Sequence, residues 1–298
     1  MNDSIVNFKN YLKAQEKSKA TISAYTSDVK KFLLEMGEEL TSYKVKKTLE
    51  NIYNSNKYSI SSLIRKKYSW NCFCDFIKTT DWKITKRIKR CYTYQEDVIE
   101  IADVQNMLLF LRNKLLQLKS IPEKIKTYKQ MIFLSLGLNE GLRASEYHNL
   151  KFHDALEKRE VEIRDSKNGV SRKVPVTAPT RLIIENFRNF LIENKKPYNQ
   201  YIFSNNSGKT LTTRTFQRWI KEIAELSKVP LELAKTHGLR HRFARNIYEQ
   251  FNDIVLISSI LGHQSLETTK IYTRPCKKSI EKIMNEASKI RIEMLEIA

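Results

Sequence analysis

Thr236-His237-Gly238-Leu239-Arg240-His241, followed by Leu261-Gly262-His263 and then by Tyr272, decides how this chain is read. His237 and Arg240 stand three apart, a spacing that puts both on one face of a helix. Gly262 reads as a helix stop and Ser265 as the start of the next helix, which is expected to carry Tyr272. A turn between two short helices then returns the tyrosine toward His263 and the upstream arginine. Two earlier segments extend the set. Gly141-Leu142-Arg143-Ala144-Ser145-Glu146 holds an arginine and a carboxylate one turn apart, and Asp165-Ser166-Lys167-Asn168-Gly169 sets a lysine in turn chemistry.

These residue types suit chemistry on a phosphodiester. That bond is protected by its own charge and by a poor alkoxide leaving group. An enzyme therefore needs cationic donors on the non-bridging oxygens, a nucleophile in line and an acid for the leaving oxygen. A guanidinium at Arg143 can fork two phosphate oxygens, and an ammonium at Lys167 can protonate a departing 5′-oxygen. A phenol at Tyr272, with an ordinary pKa near ~10, needs positive neighbours and a proton acceptor before it attacks. No carboxylate cluster suited to divalent metals is evident, so a two-metal nuclease is disfavoured and neither a metal nor another cofactor is expected. Taken singly, each residue has a blander reading. Tyr272 is one of 14 tyrosines, Arg143 can form a surface ion pair with Glu146, and Lys167 can be an exposed hairpin lysine with Lys173 as its rival. The ordered set outweighs those readings.

The pattern resembles the tyrosine recombinases, the phage integrase family of site-specific DNA recombinases. The resemblance implies that Arg143 and Arg240 clamp the phosphate and that Lys167 is the leaving-group acid. It implies that His237 bonds the phosphate and assists proton transfer from the tyrosine, that His263 donates a further hydrogen bond and that Tyr272 is the nucleophile. His241 is expected to pack or cap rather than react. The implied activity cleaves and rejoins DNA through a 3′-phosphotyrosyl intermediate and a Holliday junction, in integration, excision or resolution. The implied partners are double-stranded DNA with paired inverted sites, a homotetramer on two such sites, and accessory DNA-binding proteins. A type IB topoisomerase-like relaxing enzyme shares the same residues, and a non-catalytic DNA-binding regulator is the third reading. Because the resemblance begins at the first residues with a core-binding-like part, a simple member without an arm-binding domain is expected, similar to Xer-type and transposon cointegrate-resolving recombinases.

Composition agrees. The chain carries 53 basic against 33 acidic side chains, a net +20, which favours a polyanionic partner. The excess is spread: 19 basic and 11 acidic residues precede position 98, and 34 and 22 follow. Two basic halves suit a protein that surrounds its nucleic acid, although Lys, Asn and Ile abundance also follows from an AT-rich genome. No apolar run of membrane-spanning length and no secretory leader is read, and Cys72, Cys74, Cys91 and Cys276 have neither disulfide nor zinc spacing, so a cytoplasmic, reduced protein is expected.

The fold expected is mainly α: a helical, SAM-like core-binding domain over 1–90, a linker over 91–98, and a mostly helical catalytic domain with a small antiparallel sheet over 99–298. Ile22, Tyr25, Val29 and Phe32 mark one apolar helix face, and Leu63, Trp70, Phe73 and Ile77 another. Arg65, Lys66 and Lys67 lie within the second helix and are read as DNA contacts, with Arg242 and Arg245 adding positive potential beside the candidate site. Alternation in Val161-Glu162-Ile163-Arg164 and Arg172-Lys173-Val174-Pro175-Val176 predicts a hairpin around the Lys167 turn. Ile280, Ile283, Ala287, Ile290 and Met294 form an apolar stripe on a terminal helix, expected to dock into a neighbouring protomer.

Overall fold

The computed structural model describes residues 2–37, 41–54, 57–85, 87–88, 99–164, 171–196, 200–263, 265–273, 281 and 284–286. Lys167, the 91–98 linker and the five residues of the C-terminal stripe lie outside them. Two compact units divide the chain, Met1–Tyr92 and Thr93–Ala298. Among the described residues, no helix is long and apolar enough to cross a membrane.

The first unit contains α1 (Asn2–Ala14), α2 (Lys19–Met36), α3 (Ser42–Asn54) and α4 (Ile60–Phe76). Ser18 and Ser59 start α2 and α4 by accepting the backbone N–H of Thr21 at 3.2 Å and of Ser62 at 3.3 Å, caps that stabilise by about 1 kcal/mol each. The two apolar faces read from the sequence meet in one core with Phe8 and Leu12 of α1. Trp70 is wholly buried there, its ring 5.2 Å from Phe32 and 5.6 Å from Phe73, and its indole N–H donates to Trp82 O at 2.8 Å. Truncating such a side chain costs about 3–5 kcal/mol.

The cationic cluster on α4 is not one solvent-facing surface. Lys66 is only 4% exposed, held by the Asp28 carboxylate at 3.5 Å and lying 4.5 Å from the Tyr58 ring centroid. It ties α4 to α2 and has almost no surface to give to a phosphate. Arg65 is exposed and also pairs with Asp28, and Lys67 donates to Thr85 O at 3.3 Å. The period-3.6 pattern marks the apolar stripe but not which flanking cation a buried aspartate draws inward.

In the second unit α5 (Ile101–Gln117) begins with a reciprocal Glu100–Asp103 capping box, and α6 (Ile121–Asn139) with Pro122 in its first turn. A 3-10 turn (Tyr147–Asn149), α7 (Phe152–Leu156), β1 (Glu160–Arg164), β2 (Ser171–Pro175) and α8 (Ala178–Glu193) follow. Then come α9 (Thr213–Leu226), α10 (Thr236–Phe251), α11 (Ile254–Leu261), α12 (Leu266–Thr269) and a 3-10 turn (Lys270–Thr273). Helix α6 is buried continuously from Ile132 to Gly137 and packs against α5, α8 and α10, which sets it at the centre of the main core. The strands pair antiparallel in the register Val161 to Val174 and Ile163 to Arg172, so those four share the inward face. Fold class and the small sheet are therefore as the sequence implied. One local expectation changes: α12 ends at Thr269, and Tyr272 lies on the 3-10 turn after it. Thr269 is fully buried, its Oγ1 bound to His263 Nδ1 at 2.8 Å. That tether accompanies the tightening of the last turn from α to 3-10 geometry.

Candidate active site

Arg240 lies at the centre of the site. It sits in the second turn of α10, is 1% exposed, and donates from Nη1 to Gly141 O at 2.8 Å and from Nη2 to Leu261 O at 2.8 Å. Both carbonyls are presented where a helix has just ended. Gly141, beyond the end of α6, and Gly262, after α11, have φ of +62° and +64°, a region that favours glycine. A β-carbon on Gly141 would fall 2.3 Å from Cδ1 of Phe243, and one on Gly262 2.8 Å from Cδ of Arg172. One guanidinium thus ties together segments distant in the chain. Burial, and then Arg143, lower its pKa to about 10, and it stays a cation at neutral pH.

Glu146 lies beside it, with its carboxylate 9% exposed. Oε2 accepts from Arg143 N at 2.8 Å and Arg172 Nη2 at 2.8 Å, while Oε1 accepts from Arg143 Nη1 at 3.0 Å and Arg172 Nη1 at 3.0 Å. Arg240 Nη1 stands 3.9 Å from Oε2. Burial would raise the carboxyl pKa, but Arg172 above all, then the Arg143 amide and Arg240, hold it below the usual range. Three guanidiniums therefore converge on one carboxylate, a local excess of positive charge. Arg143 keeps 32% of its side chain exposed and is the guanidinium most open to an incoming anion.

The imidazoles and the phenol lie close together. His237 and His241, one turn apart on α10, have ring centroids 4.4 Å apart, and His241 meets Tyr272 at 5.1 Å, both edge to face. His263 stacks on Tyr272 at 6.2 Å. Its Nε2 lies 3.2 Å from Arg240 Nη2, which can only donate. The imidazole proton is thereby assigned to Nδ1, directed at Thr269 Oγ1. Burial and then the nearby arginines lower the pKa of His263 to about 4, and burial and then His237 lower that of His241 to about 4. His237 shifts down for the same reason, with Arg240 and Arg143 adding to burial. Tyr272 is 3% exposed, packed on Phe243, Ala244, Ile257 and Leu261. Burial raises its phenol pKa, opposed by Arg240 and then Arg143.

Of the residues singled out from sequence, Arg143, His237, Arg240, His263 and Tyr272 are brought together, while Lys167 is outside the described residues. Arg242 and Arg245 turn elsewhere. Arg242 is 3% exposed and donates to Asn246 Oδ1 at 2.6 Å, Glu100 Oε2 at 2.7 Å and Glu249 Oε2 at 2.7 Å. Arg245 meets Glu249 at 2.8 Å with 14% of its side chain exposed. His148 bridges Leu211 O and Thr213 Oγ1, and His153 is exposed on α7. Among the described residues no His, Cys, Asp or Glu grouping is fit to hold a metal ion.

Sequence reasoning missed Arg172 and Thr269. Arg172 had a legible signal: the alternation that turns Val174 inward turns Arg172 inward as well. A cation at an apolar position of a strand calls for a buried partner. Its Nε is buried without a hydrogen-bond partner among the described residues. Thr269 carried no signal, because a lone threonine in a short helix has no distinguishing pattern.

Residues 109–279 match the model of the phage integrase family. Tyrosine recombinase XerA of Pyrococcus furiosus is 30% identical over 292 residues, covering 94% of this chain and 92% of that protein. Similar folds occur in the XerH site-specific recombinase bound to difH substrate in a pre-cleavage complex (TM-score 0.67, 20% identity, 91% of this chain and 80% of that one). They occur also in a lambda integrase tetramer bound to a Holliday junction (TM-score 0.66, 15% identity, 91% and 76%).

Proposed function

The chain belongs to the phage integrase family, and from that premise we propose that it is a site-specific DNA recombinase whose strand cleavage is carried out by Tyr272. Arg143 and Arg240 hold the two non-bridging oxygens of the scissile phosphate, His237 adds a hydrogen bond, His263 holds Arg240 in place through Nε2, and Tyr272 Oη attacks phosphorus. The P–O5′ bond breaks, Lys167 gives its proton to the leaving 5′-oxygen, and a 3′-phosphotyrosyl bond remains. A 5′-hydroxyl from the partner strand then attacks that bond, which restores the phosphodiester and the free tyrosine. The covalent bond conserves the free energy of the phosphodiester, so ligation needs no external energy source. Passing the strands between two duplexes generates a Holliday junction.

The observation that carries this reading is the convergence of Arg143, His263 and Tyr272, from three separate segments, around the buried guanidinium of Arg240. A regulator needs a basic surface and has no use for a tyrosine packed beneath two imidazoles. We extend the proposal to a homotetramer on two duplexes with paired inverted sites. The apolar stripe from Ile280 to Met294 supports it, since such a stripe must be covered, and a tetramer on a junction is the arrangement described for lambda integrase. Its setting is proposed to be cytoplasmic DNA, in a mobile element or a replicon, with accessory DNA-binding proteins ordering the strand exchanges.

The test is a covalent-adduct assay on labelled duplexes from the regions flanking the gene, nicked so that cleavage cannot reverse. Wild type should give an SDS-resistant protein–DNA species and Tyr272→Phe none, with both binding alike. Sequence-specific binding without an adduct in wild type would defeat the enzymatic reading.

A further inference from the structure

We infer that His241 is the proton acceptor for Tyr272 in strand cleavage, a catalytic residue of the recombinase reaction proposed above, on which this inference rests. Tyr272 has two imidazole neighbours among the described ring contacts, His263 and His241. They differ in what their nitrogens are doing. His263 is saturated: Nε2 faces an N–H of Arg240 and Nδ1 is bound to Thr269 Oγ1 at 2.8 Å. An imidazole in that state has no lone pair to offer a phenol. The His241 side chain makes no hydrogen bond among the described contacts, yet it is partly buried with its ring edge-on to Tyr272 at 5.1 Å. His237 lies 4.4 Å from His241 and has no described ring contact with the tyrosine, so the proton transfer that the resemblance implies for His237 is assigned here to His241.

A half-buried imidazole with an uncommitted nitrogen beside a nucleophile is the geometry a general base requires, and such contacts close to hydrogen-bond length only once substrate is bound. Phosphate binding also makes the proton transfer more favourable. In the empty site His241 is held neutral by burial, and then by His237, Arg240 and His263, the groups that face it from α10 and from the loop after α11. A phosphate anion seated between Arg143 and Arg240 offsets the arginine field and raises the basicity of His241 when a proton must be accepted. In the cleavage step the Tyr272 Oη–P bond forms, the P–O5′ bond breaks, the phenolic proton passes to His241 and the leaving oxygen is protonated by its own acid. On religation His241 returns the proton to the tyrosine.

The experiment uses the full chain and the nicked duplex that wild type cleaves, with single-turnover adduct formation as the readout. His241→Gln should slow it by about 10²-fold, within the range of general-base contributions, with DNA affinity unchanged. Replacing Tyr272 with 3,5-difluorotyrosine, a stronger acid, should recover at least about 10-fold of that loss, because less help is needed to ionise it. In the His241 chain, fluorination should leave the rising limb of the pH–rate profile in place, since the imidazole and not the phenol titrates there. A His241→Gln rate within threefold of wild type would overturn the inference, as would a slow variant that fluorination does not rescue. So would a rising limb that moves down with the acidity of the phenol. The last measurement needs no substitution at His241 and so survives a folding defect. Absence of an adduct from wild type would instead remove the recombinase reading and this inference with it.

Discussion

Glu146→Gln isolates the electrostatic frame of the site with almost no change of shape. The carboxylate receives four N–H donors, two on each oxygen, from Arg143 and Arg172. In either orientation an amide leaves its NH2 facing two of those donors. Arg172 is 13% exposed, so water does not replace the missing acceptor. Removing one partner of a buried ion pair costs about 3–5 kcal/mol; with the more exposed Arg143 contributing little, about 3 kcal/mol is expected. The assay is urea unfolding followed by hydrogen exchange of α10 and β2 peptides, which reports the second unit alone. The sign with pH follows from the depressed carboxyl pKa. A carboxylate held below its unfolded value of ~4.3 gives stability that is present above that value and lost as pH falls through the folded pKa. The gap between wild type and Glu146→Gln should therefore be constant from about pH 6 to 8 and close on acidification below about pH 4. Adding Arg172→Gln should cost less than the two single losses together, since neither residue then leaves the other stranded. A gap under about 1 kcal/mol at neutral pH, or one that persists unchanged at pH 3, would refute the reasoning.

Other positions give independent checks. Glu140, 3% exposed and hydrogen-bonded by Thr177 and Thr180, has its pKa raised to about 7 by burial. The native state then holds a proton that the unfolded state releases, so stability should fall as pH rises from about 4.5 to 7. Glu140→Gln should flatten that fall by about 2–3 kcal/mol in pH-dependent urea unfolding. Gly141→Ala meets both the left-handed backbone and the Phe243 ring; it should destabilise by about 3 kcal/mol in thermal unfolding and displace the carbonyl that holds Arg240. Arg242→Gln should lower stability by about 2 kcal/mol but leave the slope of log affinity against log salt unchanged. A phosphate contact at that position would instead lower the slope by about 1.

The motifs told more about chemistry than about contacts. Arg143, His237, Arg240, His263 and Tyr272 could be singled out because phosphate chemistry restricts residue type and because their motifs resemble those of the family in order, and the structure brings the five together. Gly262 was legible because a helix stop has its own signature. What stayed hidden was the direction in which each cation points. Lys66, Arg242 and Arg172 are drawn inward by Asp28, Glu100 with Glu249, and Glu146 respectively, partners 26 to 142 positions away except Glu249. No local pattern encodes such pairs. Only the strand alternation at Arg172 gave a clue, and it required reading a charge on an inward position as a demand for a partner.

The charge balance of the site bears on why its histidines are buried. Arg143, Arg172 and Arg240 against Glu146 leave a surplus of two positive charges in the described site, and burial keeps His241 and His263 neutral near pH 7. A phosphodiester brings one negative charge and its pentacoordinate transition state approaches two. On the proposed mechanism this fixed surplus, to which the Lys167 ammonium would add, favours the more highly charged transition state over the ground state, which is the condition for raising the rate rather than only tightening binding. Were the imidazoles cationic, the surplus would rise and favour the bound phosphate itself, while His241 would have no lone pair left to take the tyrosine's proton. On the proposed mechanism, the burial that weakens His241 as a free base keeps it available as a proton acceptor until an anion enters the site.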